Sequence, residues 1–323
     1  MTTEEGVDGE CWVCVEGSSN TRSSKLVRGC ACRGAHAGFA HLSCLVQAAK
    51  HDEDRWDSCP TCKQDFTGDV RLGLARARWK IHRKHPVGDW QRLNAADGLA
   101  SALQDCAGDP AGALPLFREV LEVSRQVDGN DDANTLVSMN NLASLHQKMG
   151  NYDLALPLFE EAIEAQRRTL GEEAADTLRT INNLAMLHLR TGEFLLSLPL
   201  AEKAMAARQR TLGKDHADTL SSIENLGLLR WHMAHGIYIS FHDADTFEGL
   251  CKLEDLECSK ELLAEAVKGR SKVLGKAHHL TLESIRALGY AEKRMDELRS
   301  SAAHTHPKDI SAEPPLAKKH RKR

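Results

Sequence analysis

Three phrases, NTLVSMNNLASLH, DTLRTINNLAMLH and DTLSSIENLGLLR, begin at Asn134, Asp176 and Asp218, each 42 residues after the one before. A second series, ALPLFREV, ALPLFEEA and SLPLAEKA, starts at Ala113 and keeps the same period. Two series in constant phase describe one unit of two helices repeated in tandem. Such a unit cannot bury its apolar face alone and is stable only when stacked on its neighbours. The period therefore predicts an extended solenoid over most of the chain.

Within the unit the apolar spacing is helical. Leu142, Ala143, Ala155, Phe159 and Ala162 place small and large residues where two helices must approach, and Gly150-Asn151 supplies the turn between them. The array resembles tetratricopeptide repeats, and its TLxxxNNLAxLH and ALPLF phrases resemble those of kinesin light chains, over residues 93–297. The paired helices are read at 93–106 with 112–127, 133–149 with 154–169, 175–191 with 196–211, and 217–233 with 258–273, and a last helix at 279–297 caps the stack. In the fourth pair the period grows to 62, so 20 residues are inserted within 233–257. That segment is a loop, an extension of the flanking helices, or an artefact of the gene's reading.

The first helix of each pair lines the concave face of such an array, and Asn141, Asn183 and Asn225 recur there in phase. An inward amide donates to and accepts from the backbone of an extended peptide, and Lys148, Arg179 and Arg190 add attraction for acidic residues. The competing reading is that these asparagines only tie adjacent repeats together. A role as a kinesin cargo adaptor is disfavoured, because the place of the heptad segment that attaches light chains to the motor is taken here by a cysteine-rich module.

That module spans residues 9–66, after a short acidic stretch, residues 1–8, that is expected to be disordered. Seven cysteines and one histidine fall into the pattern Cys11-x2-Cys14, Cys30-x-Cys32, His41-x2-Cys44, Cys59-x2-Cys62. Thiolate and imidazole are the donors that tetrahedral structural zinc prefers, and four close pairs suffice for two ions. The residues between them, Arg22 to Gly34 and Lys50 to Ser58, are too polar to build a core, so metal must supply the folding energy, about 10–16 kcal/mol for sites of this kind. Disulfides are disfavoured, because the opening MTTEEGVDGE has no apolar signal-peptide core. Cys106, Cys251 and Cys258 stand outside the pattern and read as ordinary thiols, and His36 lacks the His-x2-Cys spacing that makes His41 the better donor.

Four cysteines, one histidine and three cysteines is an order shared by RING-CH and PHD fingers. The eight residues between Cys32 and His41 resemble the RING-CH family, since PHD fingers set the histidine closer. The resemblance implies a small zinc-stabilised RING-like α+β domain. In it Cys11, Cys14, His41 and Cys44 hold one zinc, and Cys30, Cys32, Cys59 and Cys62 hold the other. It also implies docking of an E2 ubiquitin-conjugating enzyme on Val13, Leu45 and Pro60, with Lys63 at the place of the basic residue that reaches E2 and ubiquitin. A RING-type ligase holds the charged E2 in a reactive orientation and forms no covalent bond itself, so no catalytic residue is expected. The family often carries a tryptophan four residues after the sixth ligand, where this chain has Ala48.

Residues 67–92 form a basic connecting segment with Arg71, Arg76, Arg78, Lys80, Arg83 and Lys84, read as a solvated helix. It has no base-reading motif, and nucleic-acid binding is not expected. Residues 298–323 read as a disordered basic tail in which Lys318, Lys319 and Arg321 fit a nuclear-localisation pattern. No apolar run reaches the length of a membrane span, so a soluble cytoplasmic or nuclear protein is expected. The resulting expectation is a RING-type ubiquitin ligase that recruits a substrate or adaptor peptide through its repeats. A non-enzymatic zinc-finger and repeat scaffold is the alternative, and a PHD-like reader of histone peptides is a third.

Overall fold

The computed structural model describes residues 11, 13–14, 26–28, 39–240, 247–276 and 278–304. Among them, two short strands, β1 (Leu26–Arg28) and β2 (Phe39–His41), pair antiparallel with Leu26 opposite His41, and they lead into helix α1 (Leu42–Ala49). A 3-10 turn over Glu53–Trp56 and a tight knuckle around Cys59 and Cys62 complete the amino-terminal module. Its core is small: Cys11, Ala40, Leu45, Ala49, Trp56, Cys59 and Phe66, closed from one side by Val70 and Leu74 of the next helix.

That helix, α2 (Gly68–His82), is not the solvated connector that its basic residues suggest. One face enters the module core. The other, with Leu72, Ala75 and Trp79, packs on Leu99 and Ala102 of α3 (Trp90–Ala102). Gly73 leaves room for Leu42 of α1, whose Cδ2 would otherwise lie 2.5 Å from a Cβ. Arg78 is buried and bonds Glu53 at 2.7 Å and Asp57 at 3.3 Å, and the partly exposed Arg71 pairs with Asp105 at 3.2 Å, so two of the basic residues of the stretch have acidic partners within the protein. Arg76, Lys80, Arg83 and Lys84 remain exposed.

The array follows as antiparallel pairs: α3 with α4 (Pro110–Val127), α5 (Ala133–Lys148) with α6 (Tyr152–Thr169), α7 (Ala175–Thr191) with α8 (Phe194–Leu212), α9 (Ala217–Ser240) with α10 (Phe247–Val273), and a last helix α11 (His279–His304). Starts are set by acidic caps: Asp89 accepts from the N–H groups of Gln91 and Arg92, Asp109 from Gly112, and Asp132 from Asn134. Alanines of each second helix cover the aliphatic residues of its partner: Ala162 and Ala165 over Leu136 and Met139, Ala204 and Ala207 over Leu178 and Ile181, and Ala266 over Leu220 and Ile223.

The inserted segment lengthens both helices of the fourth pair, and the repeat phase explains why. Gly150 and Gly192 stop the first helices of the two preceding pairs in the left-handed conformation, φ 79° and 81°. Ala234 stands at the corresponding position, so α9 runs on to Ser240. Pro115, Pro157 and Pro199 each stand inside a second helix, just past its first turn, where the ring removes one hydrogen bond to the carbonyl four residues before. Glu261 replaces proline in α10, which begins fourteen residues upstream of it, at Phe247. The link between the two helices of a pair survives the insertion: Ser197 Oγ donates to the Ala185 carbonyl at 2.7 Å, and its counterpart Ser259 donates to Gly227 at 2.8 Å.

Candidate functional site

Two places concentrate polar side chains. In the amino-terminal module, Cys11, Cys14, His41 and Cys44 bring three sulfurs and a ring nitrogen within 4.8 Å of one another. The turn at Val13–Cys14 brings the first two sulfurs together, and the junction of β2 and α1 supplies His41 and Cys44. His41 Nδ1 lies 3.4 Å from Cys14 Sγ and 3.7 Å from Cys44 Sγ, and the His41 N–H donates to Cys11 Sγ at 3.4 Å. A tetrahedral ion with bonds of about 2.3 Å to sulfur and 2.0–2.1 Å to nitrogen sets neighbouring donors about 3.5–3.8 Å apart. The two His41 distances match that spacing, and the cluster could hold one metal ion.

Its electrostatics point the same way. Burial works against a Cys11 thiolate, but the backbone N–H groups of His41, Cys14 and Val13 outweigh it and bring that thiol down to about 7. Burial, then the neighbouring sulfurs of Cys14 and Cys11, push Cys44 up to about 12. Several thiolates at this separation repel one another unless a cation sits among them.

Of the second expected ligand set, Cys59 is buried and Cys62 half-buried on a knuckle in which the Cys59 N–H donates to the Gln64 carbonyl at 2.9 Å and the Lys63 N–H to the Cys59 carbonyl at 2.8 Å. Lys63 is exposed, with φ 58°. Cys30, Cys32 and His36 lie outside the described residues, as do Lys318, Lys319 and Arg321. Among the residues expected to dock an E2, Val13 and Lys63 are exposed and Pro60 is half-buried. Leu45 is a correction: it is 5% exposed and packs in the module core with Cys11 and Trp56, so it presents no surface. Val13 instead shares a shallow apolar hollow of about 340 Å³ with Ser43, Cys44, Gln47, Ala48 and His51.

The second place is the concave side of the array. Asn141, Asn183, Lys148, Arg179 and Arg190 line one hollow of about 430 Å³, together with Ser101, Gln104, Asp105, Asn140, Ser144, Gln147 and Met186 above Phe117. Asn225 is not part of it. The two competing roles of the asparagines coincide here. Asn141 Nδ2 donates to Asp97 Oδ1 at 2.9 Å, and Asn183 Nδ2 donates to Asn140 Oδ1 at 2.9 Å, so each ties its helix to the preceding one while lining the hollow. Burial raises the Asp97 carboxyl above its usual range, against the opposing pull of the Asn141 bond and Arg179.

Asp105 bridges Lys148 at 2.9 Å and Arg71 of α2 at 3.2 Å. Burial disfavours its charge, but the Lys148 and Gln104 bonds prevail and hold it below the ordinary carboxylate range. The bridge arises where α3 widens into a π turn at Leu103–Ala107, and it links the basic helix to the hollow. Arg179 pairs with Asp176 at 2.8 Å, whereas Arg190 is exposed and has no ion pair among the described residues. Gln147, only 9% exposed, lines the hollow with its amide unpartnered among the described residues. The repeat phase hid it, because Leu189 and Trp231 occupy the same position in the next two units.

Residues 91–168, 138–209 and 174–235 match the family model described as tetratricopeptide repeat. These are tetratricopeptide repeats. The array is similar to the crystal structure of a point variant of a Podosopora anserina protein described by kinesin light chain nearly identical TPR-like repeats: 21% identity, 66% of this chain and 93% of that one, TM-score 0.48. It is also similar to BtubC (BKLC) from P. vanneervenii: 19% identity, 86% and 99% of the two chains, TM-score 0.43. The repeat assignment rests on the family match and on the helix pairs, not on these two structures. No curated protein matches the chain. Among the described residues no helix is long and apolar enough to cross a membrane.

Proposed function

We propose that this protein is a protein-interaction scaffold whose repeat groove grips an extended peptide and whose amino-terminal module is a zinc finger. The observation that carries the first part is the hollow itself. Five of the six side chains expected from the sequence to line a groove lie around it, Arg190 without an ion pair among the described residues, with the spare amide of Gln147 beside them. Amides of this kind recognise backbone, and the cations favour acidic side chains. Zinc on Cys11, Cys14, His41 and Cys44 fits the donor set, and Cys30, Cys32, Cys59 and Cys62 would take a second ion. Each ion would brace its module without entering any reaction. The test is selection of peptides from a random display library on the full chain, followed by binding measurements on the Arg179→Glu/Arg190→Glu variant. Selected peptides that bind wild type and variant equally would refute groove recognition.

A second reading, RING-type ubiquitin ligase, is favoured by one specific observation: Val13 and the apolar hollow at Ala48 lie on the surface directly beside the metal-ligand cluster, where E2 docking is expected. In that reading the module orients a charged E2, Pro60 and Lys63 complete the contact, and the groove delivers the substrate. Ubiquitin discharge from a panel of charged E2 enzymes, with Val13→Ala as control, decides it. If no E2 is discharged faster with the wild-type chain than without it, the protein is a scaffold only.

A further inference from the structure

Among the described residues, α11 is a first-type helix with no second helix packed on it. In repeat phase, Leu282 and Ile285 of α11 correspond to Leu220 and Ile223 of α9, to Leu178 and Ile181 of α7, and to Leu136 and Met139 of α5. In α9 these side chains are 2% and 1% exposed beneath Ala266, whereas in α11 they are 41% and 43% exposed. The neighbouring glycine tells the same story. A Cβ on Gly227 would meet Leu263 at 3.0 Å and Leu262 at 3.3 Å, but one on Gly289 would meet nothing within 4 Å. Leu282, Ile285 and Gly289 fall at i, i+3 and i+7 and form one stripe, with exposed Tyr290 at its edge.

The helix is held firmly on its opposite face, so the stripe is a formed surface. Thr281, Ser284, Ala291 and Met295 are buried, Arg270 Nη1 donates to the Ser284 hydroxyl at 2.8 Å, and Met295 packs with Ala234 and Leu256. Nothing in the sequence from Arg299 to Arg323 repeats the ALPLF or ELLAEA phrases of the covering helices.

We infer that this face docks an amphipathic helix of a partner protein, one that repeats the pattern of the chain's own second helices. That pattern is an aliphatic pair seated over Gly289 and an alanine three or four residues later over Leu282 and Ile285, as Leu262, Leu263 and Ala266 sit over Gly227, Leu220 and Ile223. The occupant is argued from continuity: the same surface is covered by the same kind of helix at three preceding positions in the array. The contact is independent of the concave groove and extends the scaffold by a second attachment point.

The probe is a fluorescein-labelled synthetic peptide of residues 254–273 carrying Cys258→Ser, titrated with the full chain. Saturable binding is expected, weakened about tenfold or more by the Leu282→Glu/Ile285→Glu double variant, whose altered side chains are already exposed. The same peptide with Ala266→Glu should not bind wild type. Absence of binding at about 1 mM peptide, or equal affinity for wild type and double variant, overturns the proposal. So does a concentration-dependent dimer in sedimentation that the double variant abolishes, since that result assigns the face to a second copy of the chain.

Discussion

Gln166 is fully buried, and among the described residues neither its Oε1 nor its Nε2 has a hydrogen-bond partner. In repeat phase it corresponds to Arg208 and Arg270, whose Nη1 groups do find partners. Arg208 Nη1 donates to the Asp218 carbonyl at 3.0 Å and the Ser222 hydroxyl at 2.8 Å; Arg270 Nη1 donates to the Leu280 carbonyl at 3.0 Å and to Ser284. The glutamine is too short to reach the corresponding carbonyl of Asp176 and the hydroxyl of Thr180. One substitution should therefore have opposite signs at equivalent sites. Gln166→Met fills a similar volume and removes the desolvation penalty of one unsatisfied amide, a gain of about 1–3 kcal/mol. Arg208→Met loses two bonds made by a buried charge and should cost about 2–4 kcal/mol. The assay is urea unfolding of the full chain followed by circular dichroism. A gain of about 1–3 kcal/mol raises the array midpoint by about 0.3–1.5 M at a slope of about 2–3 kcal/mol/M. A Gln166→Met protein less stable than wild type would show that the repeat-phase reasoning fails inside the core.

Further outcomes follow from the same structure. Metal analysis of the full chain should find bound zinc, and Cys44→Ser should lose one ion and leave the module open to proteolysis while the array keeps its helicity. Leu74→Ala, at the seam where α2 closes the module core, should cost about 2–5 kcal/mol, read as a lower melting temperature for the module. His146 is buried with Nδ1 unpartnered, and burial, then Arg118, holds its pKa below the ordinary 6.5. The unfolded state thus takes up the proton first, so stability present above pH 6.5 is lost as pH falls through the lowered value. His146→Phe should flatten the dependence of the urea midpoint on pH between 7.5 and 5.5, and an unchanged slope would place the acid sensitivity elsewhere.

The sequence made the array legible because every unit repeats the same packing problem. A glycine stop, a proline start and a small-residue contact recur 42 residues apart, so each copy corroborates the others. Where the copies differ, the phase still reads: Ala234 and Glu261 account for the long helices of the fourth pair once they are set against Gly192 and Pro199. The candidate donors were legible from spacing, since paired donors on short turns have few other uses, and the grouping of Cys11, Cys14, His41 and Cys44 came from the RING-CH resemblance. Three features were hidden. Helix α2 divides its apolar residues between two neighbours, so no single stripe shows through its arginines. Leu45 reads as surface because it stands beside a ligand, yet a module with so little apolar material draws that leucine into its core. Gln147 was missed for the opposite reason, being the copy in which the repeat is broken.

The central claim is that ligand peptide enters the concave hollow. Of the seven methionines in the chain, Met186 lines that hollow, and Met295 of α11 is buried against α9 and α10. Methyl-labelled methionine spectra of the full chain, recorded while a display-selected peptide is added, test it directly. The account predicts that the Met186 resonance shifts and saturates with binding while Met295 stays in place, and that both remain still in the Arg179→Glu/Arg190→Glu variant. A peptide that binds tightly and leaves Met186 unmoved would contradict it.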